Sequence, residues 1–497
     1  MKVETCLISV SDKEGIVDFA KGISSVGIMV IASGGTAKIL KESRVSVLSV
    51  EEVTGFPSIL DGRVKTLHPA IHGGILAKRK KEHLDELERL SIKKIDMVVC
   101  NLYPFEERIK EGITQDEAIE EIDIGGVTLI RAGAKNYKYV CVVVNKERYK
   151  EILDILKNND NCIPEEFSYN LATEAFNYTA HYDSTIANWF LKEEFPEVLN
   201  LSYKKVLPLR YGENPHQRAS FYAKDKLPFR KISGRELSYN NILDLDSAYG
   251  LVLGFNEPAC VIIKHNSPCG VSISDCICSA YKLAYNADPI SAFGGIIGVN
   301  KNLDLETAEE INKIFCEAII APSFDEDVIS LFLSKNTRLV KLESEIDKEL
   351  KVRNALGGIL LQDDDIKDYE NLRFVTKKKP SDDELKDLLF AYKVSKYVKS
   401  NAIVIAKNKT TVGICGGQTN RVDAVKIANE RAGDKAKGAA LASDGFFPFP
   451  DSIYECIKGG ISSIIQPGGS IKDKEVIDAA DNLGISMVFA NIRHFRH

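Results

Sequence analysis

Lys264 and His265 stand side by side after the apolar run Ala259-Cys260-Val261-Ile262-Ile263, and Asn266-Ser267-Pro268-Cys269-Gly270 follows them. A strand ending at such a polar turn lifts an amine and an imidazole out of a core, into the kind of cleft where α/β proteins bind ligands. The pair can divide an acyl transfer between them. The imidazole takes a proton from an attacking nitrogen, and the ammonium stabilises the developing oxyanion. A strand end whose polar residues merely meet solvent would use the same residues, because the motif is short.

The first half holds three further clusters. Ser33-Gly34-Gly35-Thr36 lies between a strand-like run at 28–32 and a helical run at 37–43. Its glycines allow close approach to an anion, and its hydroxyls and helix-start amides can donate to one. It fits neither Gly-x-Gly-x-x-Gly nor Walker A, so a dinucleotide or ATP site is not supported; a tight turn capped by Thr36 is the plain alternative. Arg63, Lys65, Thr66 and His68 crowd into Asp61-Gly-Arg63-Val64-Lys65-Thr66-Leu-His68-Pro69, a set suited to phosphate and carbonyl oxygens or to an exposed basic loop. Asp123-Ile124-Gly125-Gly126 precedes a helical run carrying Arg131 and Lys135, four apart on one face. Lys135 near a buried Asp123 would make a proton carrier, while a structural Arg–Asp–Lys cluster is the alternative. Tyr103, in Cys100-Asn101-Leu102-Tyr103-Pro104-Phe105, follows a strand end where a phenol could face a ligand; taken singly, it reads as core packing.

The elements that must position these groups alternate. Strand-like runs at 6–10, 28–32, 97–100 and 139–144 are separated by helical segments such as 14–26, which predicts a doubly wound parallel sheet. A helix over 163–190 holds the sole tryptophan, Trp189, and leads into the charged, Pro-containing stretch 192–196, placing a domain boundary near 198. Beyond it, strand-like runs at 259–263, 295–299, 358–361, 402–406 and 462–465 alternate with helices at 382–398 and 474–483, again α/β. The strand-to-polar-turn arrangements near Lys264 and Asn401 hint at a duplicated subdomain. Residues 363–379 read as a solvated linker or surface loop.

Composition narrows the function classes. The 497 residues exceed what one core supports, so two or more domains are expected. A net charge of −6 argues against a protein that coats nucleic acid or an anionic membrane, yet leaves room for a small anionic substrate. The N-terminus lacks the shape of a signal peptide, no apolar run approaches a membrane span, and the 11 cysteines are scattered without a Cys-x-x-Cys pair. Reduced thiols in the cytoplasm are the expectation.

Together the motifs carry a resemblance. Ser33-Gly-Gly-Thr36, Gly62-Arg-Val-Lys-Thr-Leu-His-Pro69, Asn101-Leu-Tyr-Pro-Phe105, Ile122-Asp-Ile-Gly-Gly126 and Ala134-Lys135-Asn136 closely resemble the inosine monophosphate (IMP) cyclohydrolase domain of the bifunctional purine-biosynthesis enzymes. Leu209-Arg-Tyr-Gly212, Asn214-Pro-His-Gln217, Lys264-His265, Ser291-Ala-Phe-Gly294, Ser400-Asn401, Gly416-Gly-Gln-Thr-Asn-Arg421, Phe446-Phe-Pro-Phe449 and Asn491-Ile-Arg493 resemble the other half, the aminoimidazole carboxamide ribonucleotide (AICAR) transformylase. The similarity runs from about Ile8 to the C-terminus, in family order.

The resemblance implies a methylglyoxal-synthase-like doubly wound domain over 1–198 and a duplicated cytidine-deaminase-like α/β domain over 199–497. It implies formyl transfer from 10-formyltetrahydrofolate to AICAR, then dehydrative closure of the formylated product (FAICAR) to IMP. Catalytic roles fall on Lys264, His265 and Asn401 in one domain and on Lys65, Tyr103, Asp123 and Lys135 in the other. Nucleotide binding is implied for Ser11, Asp12, Lys13, Ser33, Gly34, Gly35, Thr36, Arg63, Val64, Thr66, Cys100, Asn101, Ile124, Gly125 and Gly126. In the second domain it is implied for Arg210, Tyr211, Gly294, Glu317 and Arg493. Folate binding is implied for Arg421, Val422, Phe446, Asp451, Ser470 and Ile471. The resemblance also implies a homodimer and no catalytic metal, and leaves room for a structural monovalent cation. Two positions depart from it: Glu317 stands where some relatives carry Asp, and Pro450 replaces a basic residue.

Two rival classes are weighed against this. A zinc nucleoside deaminase needs His-x-Glu with Pro-Cys-x-x-Cys, whereas His265 is followed by Asn266-Ser267. A non-catalytic nucleotide-binding protein would have no use for Lys65, Tyr103, Asp123, Lys135, Lys264 and His265 together.

Overall fold

Five short strands rich in Val, Ile and Cys build the first sheet, in the spatial order Val47–Ser49, Met29–Ala32, Thr5–Val10, Met97–Asn101 and Cys141–Val143. In this computed structural model, which describes residues 1–224, 226–344 and 350–497, the chain divides into two units, Met1–Ser202 and Tyr203–His497. Every pairing in the first sheet is parallel. Cys6, Leu7 and Ile8 are fully buried, as a strand covered by helices on both faces requires. Helix Ile16–Ser25 turns Ile16, Phe19, Ala20 and Ile23 inward, one stripe at helical spacing. Strand order reverses between Thr5–Val10 and Met97–Asn101, and their carboxyl ends open the crevice where such sheets take ligands.

One local expectation changes. Gly34, Gly35 and Thr36 are not a turn before a helix; they form the first turn of helix Gly34–Glu42, with Ser33 at its cap position. The Thr36 hydroxyl ties this first turn to the end of the neighbouring strand Thr5–Val10, donating to the Val10 carbonyl (3.1 Å). The long helix Glu165–Phe190 ends with Trp189 edge-on to Phe105, ring centres 5.5 Å apart.

In the second unit a mixed sheet of 12 strands spans the described residues. From one edge it runs Arg373–Phe374, Ser486–Phe489, Ser463–Gln466, Ala440–Ser443, Ile403–Lys407 and Thr410–Cys415. It continues Ser267–Ile273, Ala259–Lys264, Ile296–Val299, Ala318–Ala321, Arg338–Leu342 and Phe229–Ser233. Read outward from its centre, each half is a hairpin, then three mutually parallel strands, then one antiparallel edge strand. The duplication is therefore real. Its correspondence differs from the expected one, because the end of strand Ala259–Lys264 matches Lys407, not Asn401. Helices Tyr239–Val252 and Asp382–Ser395, of 14 residues each, follow the edge strands of the two halves in the chain, both capped by a serine (Ser238, Ser381).

Two other expectations change. The run at 358–361 is a strand, Gly358–Gln362, but it pairs only with Lys351–Ala355 in a separate exposed hairpin. Residues 363–379 are not a free loop. They contain the edge strand Arg373–Phe374, and Asp365 bonds the buried His494 imidazole (2.6 Å). No helix among the described residues is long and apolar enough to cross a membrane.

Candidate active sites

In the N-terminal unit the ends of parallel strands collect the predicted residues. The Asn101 side chain, at the end of its strand, accepts the backbone N–H groups of Ser11 (2.6 Å) and Asp12 (3.0 Å) and donates to the Asp12 carbonyl (2.9 Å). This ties the loop after the first strand to the neighbouring one. Lys13 folds over the same loop, donating to the Ser11 carbonyl (3.0 Å), and the Ser9 and Ser33 hydroxyls are bonded at 2.7 Å.

Lys65 reaches this edge from the loop at 61–68. Its Nζ would lie 3.4 Å from a Cβ on Gly34 and 2.8 Å from one on Gly62. Gly62 has φ +92°, so its lack of a side chain serves both the turn and the lysine's path. Thr66 Oγ1 approaches Gly125 as closely, 3.1 Å from the position of a Cβ. An ammonium thus sits at the start of helix Gly34–Glu42 and a hydroxyl at the start of helix Gly125–Lys135, an arrangement suited to an anion. Arg63 is exposed and paired with Glu120; Val64 bridges to Ile59; Ile124 is exposed at the helix start.

Asp123 is largely buried, and its carboxylate accepts the Gly126 N–H (2.6 Å) while its own N–H donates to the Tyr182 hydroxyl (2.8 Å). Burial pushes its carboxyl above the ordinary aspartate value, with bonds from the backbone at Gly126 and Tyr103 pulling the other way. Gly126 is small because a Cβ there would lie 2.7 Å from the carboxylate. Tyr103 is not core packing as the residue alone suggests: it is 44% exposed, its phenol raised by burial of its inner part and by the Asp123 charge. Cys100 packs beneath, with Sγ 3.8 Å from the Gly126 carbonyl.

Lys135 departs from expectation. Asp123 precedes the helix and Lys135 is its last residue. Eleven residues at 1.5 Å each separate them by about 16 Å, so the helix holds the two apart. Lys135 does share an exposed helix face with Arg131 as read.

In the C-terminal unit, strand directions place the predicted groups along one edge of the sheet, meaning the margin where strand Ala259–Lys264 ends and not a lateral edge strand. Strand Ala259–Lys264 ends there. His265 (φ +52°) and Asn266 (φ +60°) make a two-residue turn, and the chain returns at once as Ser267–Ile273. Positive φ at both central residues is the hairpin turn that matches strand twist. The Asp244 carboxylate accepts the Asn266 N–H (2.5 Å) and is raised by its burial against the pull of that bond. Lys264 Nζ donates to the Phe293 carbonyl (2.6 Å), and Gly294 (φ +68°) leaves it room.

Strand Ile403–Lys407 runs antiparallel to its hairpin mate, so Asn401, just before it, reaches the same edge as Lys264. Glu317 precedes strand Ala318–Ala321 there, and Phe446, Ser470, Ile471 and Arg493 follow strand ends there. Arg210 stacks on the Tyr211 ring (4.7 Å) and donates to its hydroxyl (2.8 Å); the Arg210 N–H bonds the Leu237 carbonyl, just past the strand that also ends at this edge.

Two of these side chains are occupied by the protein. Arg421 is buried, pairs with Asp444, and donates to Ser443 Oγ (2.8 Å) and Asn401 Oδ1 (2.7 Å). Asn401 is thus held by Arg421, and it also donates to the Gln418 carbonyl (2.9 Å). Glu317 pairs with the buried Arg338 (2.6 Å) but remains 39% exposed. Val422 follows in the first turn of helix Arg421–Ala432. Asp451 is exposed and holds the Ser452 N–H (2.7 Å). Ser470 accepts the Lys472 N–H (3.1 Å), and Ile471 and Phe446 are exposed.

Sequence reading missed the supports: Asp244, Tyr182 and the Arg496 contacts described below. Asp244 had a signal, since an aspartate stands at the same distance before each hairpin turn, at 244 and 387. That regularity is visible only once the hairpins are known.

A methylglyoxal-synthase-like sheet followed by a duplicated mixed sheet, each gathering its polar residues at one edge, defines a two-domain α/β protein with two candidate active sites. The family models agree: that of the MGS-like domain matches residues 15–128, and that of the AICARFT/IMPCHase bienzyme matches 133–431. The chain is 50% identical to the bifunctional purine biosynthesis protein PurH of Thermoanaerobacter sp., covering 99% of each. It is 51% identical to that of Caldicellulosiruptor saccharolyticus over 99% of each, and 51% identical to that of Clostridium botulinum (strain Okra) over the whole of both. The chain belongs to the AICARFT/IMPCHase bienzyme family.

Proposed function

We propose that the chain is a bifunctional enzyme of purine biosynthesis, with AICAR formyltransferase activity in the C-terminal unit and IMP cyclohydrolase activity in the N-terminal unit. The observation that carries the reading is the placement of Lys264, His265 and Asn401 at one sheet edge by two different halves of a duplicated fold.

In formyl transfer, the AICAR amine attacks the formyl carbon of 10-formyltetrahydrofolate. His265, on the exposed turn, takes the amine proton and returns it to the departing folate nitrogen. Lys264 leaves the Phe293 carbonyl to stabilise the oxyanion. Asn401, held by Arg421 and Gln418, orients the carboxamide. Arg210, Tyr211 and Arg493 bind the ribonucleotide, and the exposed Phe446 and Ile471 meet the folate.

In ring closure the FAICAR carboxamide nitrogen attacks the formyl carbon and water leaves. Lys65 and Thr66 with the two helix starts hold the nucleotide phosphate. Asp123, its carboxyl raised, and Tyr103 exchange the protons that nitrogen and oxygen must lose and gain. A homodimer in the cytoplasm is proposed with this reading; sedimentation of the purified protein tests the dimer.

Purified protein mixed with AICAR and 10-formyltetrahydrofolate is expected to make IMP. Absence of folate consumption with intact substrates overturns the reading.

A further inference from the structure

We infer that Arg496 is a positioning residue for formyl transfer, fixing the Lys264–His265 turn relative to Asn401. The inference rests on the formyltransferase reading and deepens it.

Arg496 is held on both sides. Its backbone joins the Asn401 side: its carbonyl accepts the Ser400 N–H (3.0 Å), and its N–H donates to Ser400 Oγ (3.3 Å). Its guanidinium reaches the other half of the duplicated fold. Nη2 donates to Ser247 Oγ (2.8 Å) and to Asn266 Oδ1 (3.2 Å), and the Ser247 hydroxyl is itself bonded to Asn266 Oδ1. Ser247 is almost fully buried, so this junction is not a surface accident. The guanidinium also lies over the Tyr397 ring, 5.5 Å from its centre. Burial disfavours the guanidinium's charge and lowers its pKa, while the nearby Asp246 and Asp364 pull the other way.

The second hairpin supplies an internal control. Its turn, Asn408–Lys409, has the same positive φ angles (+53° and +52°) and the same carboxylate support, with Asp387 accepting both N–H groups (2.8 and 2.6 Å). There the Lys409 side chain pairs with Glu257 (3.0 Å), and no arginine among the described residues hydrogen-bonds Asn408 or Lys409. The turn thus forms without an arginine. What Arg496 adds in the first hairpin is a fixed relation between two chemical groups that separate halves of the fold contribute, and a misplacement of 1 Å costs such chemistry about a hundredfold.

The test is steady-state kinetics of the full-length Arg496→Met and Arg496→Lys proteins. Arg496→Met is expected to lower kcat for formyl transfer about 10- to 100-fold, with the KM for AICAR shifted less than about threefold. Arg496→Lys, which keeps one donor, recovers part of the loss. Asn266→Ala added to Arg496→Met costs little more, because both act through one contact. Closure of supplied FAICAR by the same preparations stays at the wild-type rate. An unchanged kcat in Arg496→Met, a rise in KM alone, or a parallel loss of ring closure overturns the inference. Failure of the wild-type protein to turn over AICAR overturns the formyltransferase reading instead, and the inference with it.

Discussion

The hairpin that carries Lys264 and the hairpin that carries Lys407 have the same supports and face opposite edges of one sheet. Asp244 holds the turn at His265–Asn266, and Asp387 holds the turn at Asn408–Lys409. The terminal lysine of each first strand donates to a carbonyl, Phe293 for Lys264 (2.6 Å) and Lys437 for Lys407 (2.8 Å). A positive-φ glycine follows each carbonyl, Gly294 and Gly438 (+68° and +69°). Shared features belong to the fold, so neither the turn nor the lysine's resting bond identifies chemistry. The difference does: an imidazole at 265 against an amide at 408, and an edge that also receives Asn401 and Arg493.

The largest expected effect separates the two hairpins outright. His265→Ala or Lys264→Ala lowers formyl transfer by about 10²–10⁴-fold, while Lys407→Ala leaves it unchanged, read from AICAR-dependent folate turnover. Removing the turn carboxylates should affect both hairpins but with different consequences. Asp244→Ala and Asp387→Ala each destabilise the protein by about 2–3 kcal/mol in urea unfolding, since charged acceptors of buried N–H groups are lost. Only Asp244→Ala also lowers kcat of the folded fraction; an equal loss in both would show that the hairpins are not distinct in function.

The N-terminal unit extends the contrast to pH. Burial raises the Asp123 carboxyl, so its charged form, the proton acceptor, is lost at a higher pH than for an ordinary aspartate. Ring closure should therefore fall as pH drops through that raised value, and the limb should vanish in Asp123→Asn. Stability has the opposite sign: the contribution of this group is present below its unfolded pKa and lost as pH rises through the folded one. The smallest effect concerns the glycines. Gly294→Ala and Gly438→Ala should each cost about 1 kcal/mol from positive φ, and only the former, with its Cβ 3.0 Å from Lys264 Nζ, should change activity.

Much of this was legible in the chain. Strand-helix alternation fixed the parallel sheet, because buried strands such as 6–10 and 97–101 leave unbroken apolar runs. The Lys264–His265 pair stood out because two polar residues end such a run. The pairing of Lys264 with Lys407 was hidden, since it rests on backbone geometry and one aspartate rather than on similar side chains. Lys135 stands a whole helix away from Asp123, a separation already implied by its place in the helical run that Asp123 precedes. The partners of Arg421, Asp444 and Asn401, were hidden because they lie 23 and 20 residues away in the chain. Arg496 offered no local pattern at all; its meaning depends on contacts with residues 230 and 249 positions earlier.

The most direct test of two separate active sites in one chain is product analysis of His265→Ala and Asp123→Asn beside the wild-type protein. Given AICAR and 10-formyltetrahydrofolate, the wild type should yield IMP, and Asp123→Asn should accumulate FAICAR. His265→Ala should make no FAICAR yet convert supplied FAICAR to IMP at the wild-type rate. Loss of both activities in either folded variant, or IMP formation undiminished in both, would contradict the account.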